Sequence, residues 1–130
     1  MSSTEEVKML LEKSKRKLKR AGEALNDEDY DSALGDAYRC AELAMRALLI
    51  ARGMSRLPKT HGGLLQLFVQ NLVETKTFPR ELAKKIGKLS SYRARADYEP
   101  TFTQREEAEE AIMIGKDVFS KAQGILRLRT

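Results

Sequence analysis

The chain has one cysteine, Cys40, so no disulfide can close within it and the fold does not depend on an oxidising compartment. It has one histidine, His61, which excludes a multi-histidine metal centre. Cys40 and His61 together fall short of the three or four ligands zinc takes, so neither a metal nor a cofactor is expected. A P-loop is absent: Gly62-Gly63 lacks the strand before it and the Lys-Ser/Thr after it. No apolar run approaches the roughly 20 residues of a membrane-spanning helix. The longest, residues 41–51, is interrupted by Glu42 and Arg46. The first residues, Met-Ser-Ser-Thr-Glu-Glu, have no basic stretch leading into an apolar core, so a secretory signal is not expected either. Together these absences predict a cytoplasmic protein that does not engage the membrane. Strand-like alternation and Asn-Gly hairpin turns are also missing, which leaves helices.

What is present fits one globular domain over residues 1–130. Hydrophobic residues make up 42% and charged residues 33%, too apolar for a disordered chain. The net charge of +5 favours an acidic partner through long-range steering without demanding one.

Three prolines, Pro58, Pro79 and Pro100, punctuate the helical periodicity. A first helix is predicted over residues 4–25, opened by a Ser3–Glu6 capping box, with Val7, Leu10, Leu11, Ser14, Leu18, Ala21 and Leu25 on one face. Asn26 and Asp27 supply a stop and a new cap. The second helix, residues 28–52, carries an alanine-rich face that lets neighbours approach closely, and is expected to be the most buried. Gly53 ends it. Thr60 caps a third helix over residues 61–75. Pro79 starts a fourth at its first helical position, ending near Arg95. Thr103 and Glu106 form a second capping box before a last helix over residues 104–126. The short connections predict an all-α, antiparallel up-and-down bundle of four main helices plus a shorter one.

Few residues are candidates for chemistry. His61, at a helix N-terminus, reads as an acid/base or anion contact, or as a capping histidine beside a tight glycine turn. Cys40 reads as a small core residue, and Tyr38 as a partly buried tyrosine. Lys13, Lys15, Arg16, Lys17, Lys19 and Arg20 crowd the first helix without interleaved aromatics, and wrap around it as a solvated surface. The segment from Tyr92 to Pro100 is the densest in charged and aromatic groups. Arg93 there can bind a phosphate bidentately or pair with Asp97 one turn on.

The alanine-rich stretch around Ala41, Glu42, Ala44, Arg46 and Ala47, then Thr60-His61-Gly62-Gly63-Leu64 and Phe68, then Arg93-x-x-Ala96-Asp97-Tyr98, then Ala108 and Ala111, resemble the HEPN domains, in particular their small stand-alone prokaryotic members. The resemblance implies a helical bundle, commonly a homodimer. It implies a binding protein partnered with a small nucleotidyltransferase of the toxin–antitoxin type, or a binder of RNA or a nucleotide. A metal-independent ribonuclease toxin and a structural adaptor are the alternatives. The family's nuclease signature is an arginine, then four to six residues, then a histidine. Here Arg93 is followed at that spacing by Tyr98, Glu99 and Pro100, so only the arginine carries over. Tyrosine, with an ordinary pKa of about 10, moves protons poorly near neutral pH. Catalysis is therefore the second reading, with Arg93 binding phosphate and Tyr98 or His61 moving the proton, and Arg93, Asp97, Tyr98 and His61 are the expected binding site.

Overall fold

The computed structural model describes residues 2–127. Five α-helices occur among them: α1 (Ser3–Asn26), α2 (Tyr30–Ala51), α3 (His61–Phe68), α4 (Arg80–Tyr98) and α5 (Arg105–Arg127). A π-helical turn, Val69–Val73, extends α3. Cross-helix pairs give the directions. Ser14 meets Cys40 and Lys17 meets Asp36, so α1 and α2 are antiparallel. Arg52 meets Thr77 while Arg93 lies on Tyr38, so α4 is antiparallel to α2. Arg95 pairs with Glu107 and Lys88 with Glu110, so α5 is antiparallel to α4. The result is the expected up-and-down bundle of four main helices, with α3 the shorter fifth.

The helix ends differ in detail from the sequence reading. Ser2, not Ser3, caps α1 and accepts from the Glu5 N–H. Asp27 closes α1, and Asp29 caps α2 by accepting from the Ser32 N–H. Pro79 precedes the first residue of α4, and its carbonyl accepts from the Ala83 N–H. The end of α4 lies at Tyr98, past Arg95, because only Glu99, the residue before Pro100, must leave the helical region. Thr103 does not form a box with Glu106. Its N–H and hydroxyl both donate to Asp31 (2.8 and 2.5 Å), while Glu107 reaches back to the Gln104 N–H at 3.0 Å. The third helix is not continuous to residue 75. The extra residue of the π-turn rotates the register so that consecutive Leu72 and Val73 are both buried.

As expected, α2 is the most buried helix, covered by α1, α4 and α5. Its alanines allow contact close enough that a Cβ on Gly115 would sit 3.0 Å from the Ala37 carbonyl oxygen. Gly115→Val should therefore push α5 off α2 and cost about 1–3 kcal/mol in denaturant unfolding. Ser14 is buried within the apolar face of α1 and satisfied by donating to the Cys40 carbonyl at 2.7 Å. Burial pushes the Cys40 thiol up to about 11, against the opposing hydrogen bond from Ser14, so Cys40 is an inert core residue. Met54 and Leu57 are half-buried and packed on the core, whereas Phe102 is exposed. The cations of α1 do not wrap evenly around it: Lys13, Arg16, Lys17 and Arg20 line one groove, opposite Arg39 and Leu43 of α2.

Candidate functional site

The site is built from one buried carboxylate outward. Glu42 lies in the middle of α2, 2% exposed, with apolar neighbours on the same helix. Burial raises its pKa, but hydrogen bonds from Arg39 and His61 outweigh this and hold the carboxyl below its ordinary 4.5. Glu42 is therefore ionised at neutral pH. One of its oxygens is held by the Arg39 guanidinium. The other lies 2.5 Å from Nδ1 of His61.

The connection before α3 places the histidine. Arg46 donates to the Pro58 carbonyl at 3.0 Å and ties the loop to α2. Thr60 then caps α3 by accepting from the Gly63 N–H at 3.2 Å. A Cβ on Gly63 would stand 2.7 Å from the Thr60 hydroxyl, so this tight entry requires glycine. His61 follows as the first helical residue, its side chain 46% exposed. Its ring packs on Tyr38, with centroids 5.0 Å apart.

An ionised Glu42 makes Nδ1 the N–H of the imidazole, which leaves Nε2 with a free lone pair when the ring is neutral. That nitrogen lies 2.7 Å from Nη1 of Arg93 on α4. Arg93 also lies over the Tyr38 ring, at 5.0 Å, and 3.9 Å from Asp97. The Tyr38 phenol is raised above 10 by burial, despite a hydrogen bond with Ser90, so it serves as a neutral platform and not a proton carrier.

Of the four residues expected from sequence, the fold brings His61, Arg93 and Asp97 together. Tyr98 stands apart: it is 87% exposed, and its side chain makes no hydrogen bond or ring contact among the described residues. Arg95, close by in sequence, is bound to Glu107 and stacked on Tyr92, which ties α4 to α5. Tyr38 is fully buried where a partly buried tyrosine is expected, because Arg93 and His61 cover its ring. Glu42 and Arg39 were not singled out as site residues. The available signal was a lone carboxylate in the most apolar helix, which must find a partner if it is buried. No cluster of three or more metal-ligand side chains occurs among the described residues. Nor is any described helix long and apolar enough to cross a membrane.

The HEPN domain family model matches residues 7–125. The chain belongs to the HEPN domain family. This HEPN chain is 30% identical over 122 residues to a Methanocaldococcus jannaschii protein named "Putative toxin MJ0142", covering 93% of the chain and 82% of that relative. The fold is also similar to the crystal structure of TT1696 from Thermus thermophilus. The TM-score is 0.75 at 25% identity, over 92% of the present chain and 97% of the other. The HEPN match spans every element of the site, from Tyr38 through His61 to Arg93.

Proposed function

We propose that this protein is the toxin-type member of a two-component system, and that it cleaves RNA without a metal at the Arg93–His61 pair. One observation carries the reading: His61 presents Nε2 to Arg93 at 2.7 Å while Nδ1 is locked on the buried Glu42 carboxylate. The absence of a histidine beyond Arg93 in sequence argued against catalysis. A histidine reaching the same arginine from α3 removes that objection. The toxin name of the Methanocaldococcus relative supports the same class.

In this reading an RNA phosphate draws the Arg93 guanidinium onto its oxygens and frees Nε2. His61 takes the proton of the neighbouring 2′-hydroxyl. The 2′-oxygen bonds to phosphorus, the bond to the 5′-oxygen breaks, and water returns a proton to that leaving oxygen. Arg93 stabilises the charge that gathers on the phosphoryl oxygens. The products are a 2′,3′-cyclic phosphate and a 5′-hydroxyl.

The non-catalytic reading, a binding partner of a nucleotidyltransferase, has its own support: Arg93 is already engaged by His61, Tyr38 and Asp97, as a structural latch would be. Incubating total RNA with the purified protein in EDTA separates the two. The parent should cleave, and Arg93→Ala should cleave at least about tenfold more slowly. If neither cuts RNA while both are folded, the ribonuclease reading fails and the partner reading takes its place.

A further inference from the structure

A second cationic feature adjoins the site. Lys13, Arg16, Lys17 and Arg20 of α1, with Arg39 and Leu43 of α2, line a groove of about 370 Å³. That lies within the roughly 300–1,000 Å³ of ligand-binding clefts. The four α1 positions follow the three- and four-residue spacing of a single helix face. Two carboxylates bear on them: Glu12 lies 3.4 Å from Arg16 and Asp36 lies 3.8 Å from Lys17. Lys13 and Arg20 have no ion pair among the described residues, so the groove stays positive. Arg39 links this groove to the site. Its guanidinium holds one oxygen of Glu42, and His61 holds the other.

We infer that this groove carries the phosphate backbone of the RNA strand whose scissile phosphodiester meets Arg93 and His61. The inference rests on the RNA reading above and extends it to a separate set of residues. The lining decides between RNA and an acidic protein surface. Protein docking is anchored by buried apolar and aromatic side chains, and here Leu43 is the one apolar residue. A nucleic-acid backbone needs only cations at intervals along its path. The groove has no aromatic lining, so bases are neither stacked nor read there, and binding along it is indifferent to sequence.

The test uses a short fluorescein-labelled 2′-O-methyl RNA strand. It carries the phosphates but no 2′-hydroxyl, so binding is read whether or not the protein cleaves RNA. Affinity is measured across a salt series for the parent and for two double variants, Lys13→Ala/Arg20→Ala and Lys15→Ala/Lys19→Ala. Each removes two exposed positive charges from α1, but Lys15 and Lys19 lie outside the groove. Alanine supports helix, so both variants should keep the parent's circular dichroism. The groove pair should weaken binding on the order of tenfold near 0.1 M salt. It should also flatten the dependence of log affinity on log salt by about 1.4. The other pair should stay within about twofold of the parent. Equal losses from both pairs, or no loss from either, would overturn the inference. Poly-L-glutamate displacing the RNA strand as effectively per charge would also overturn it, and would assign the groove to an acidic protein. Groove variants that bind like the parent while the parent still cleaves RNA would sink this inference alone. Loss of binding in the groove pair without any cleavage by the parent would sink the ribonuclease reading and the delivery of a scissile phosphodiester, leaving the groove as an RNA-binding surface only.

Discussion

His61→Ala and His61→Gln should both lower RNA cleavage by about 10²–10⁴-fold at neutral pH, the usual contribution of a positioned acid/base group. The glutamine variant is the informative one. Its amide can still donate to Glu42 and hold the loop against α2, but it cannot take a proton near pH 7. If His61 matters only as a contact of Glu42, the glutamine protein will cleave RNA like the parent and the alanine protein will not. Equal loss from both means that the imidazole itself is needed. Glu42→Gln should fall between the parent and these variants. Its amide oxygen can still accept from Nδ1, but the negative charge that favours a protonated imidazole is gone. Stability gives a separate check on Glu42. Its pKa in the folded protein is depressed below 4.5. The stability it contributes is therefore complete above pH 4.5, and is lost as the pH falls through the lower folded value. Glu42→Gln should remove that part of the acid sensitivity, read as a flatter fall in melting temperature below about pH 4.5.

The bundle was legible because its signals are local. The alanine periodicity of α2 and the three prolines depend on neighbours a few residues away, and the elements they predict are present. The π-turn was not legible, because a fixed helical period predicts Leu72 inward and Val73 turned aside. Both are buried because the extra residue of the π-turn shifts the register there. The caps slipped by one or two residues where Ser2 and Ser3, or Asp27 and Asp29, offer equivalent side chains. The site was half legible. His61 and Arg93 could each be picked out by residue type, but their approach is set by α3 and α4 packing on α2 across 32 residues of sequence. Glu42 was read as the residue that breaks an apolar run. Its burial becomes sensible only once Arg39 and His61 are seen to share it. The cationic groove was not legible, because six solvated cations on one helix show no grouping until α2 marks out which four of them border a groove with Arg39.

Phe68→Ala should be the most destabilising truncation in the core, at about 3–5 kcal/mol. Phe68 is fully buried at the point where α3 gives way to the π-turn, and meets the edge of Phe78 at 4.8 Å between ring centroids. Phe78 is itself fixed by its N–H donating to the Leu72 carbonyl at 2.9 Å. Cutting Phe68 back to alanine leaves a void that this hydrogen-bonded turn cannot close around. With a total stability of roughly 5–15 kcal/mol, typical of such domains, the loss is a large share. Equilibrium urea unfolding should show it as a lower midpoint with an unchanged slope. A loss under about 1 kcal/mol would mean that α3 is held by something other than this aromatic pair. The consequence reaches the site, because α3 begins at His61 and its other end is anchored by Phe68. If the histidine is positioned by the packing of α3, Phe68→Ala should weaken RNA cleavage under conditions where the protein is still fully folded. Unchanged cleavage would mean that the Glu42 contact, the Tyr38 packing, the Thr60 cap and the Arg46–Pro58 tie suffice to position His61.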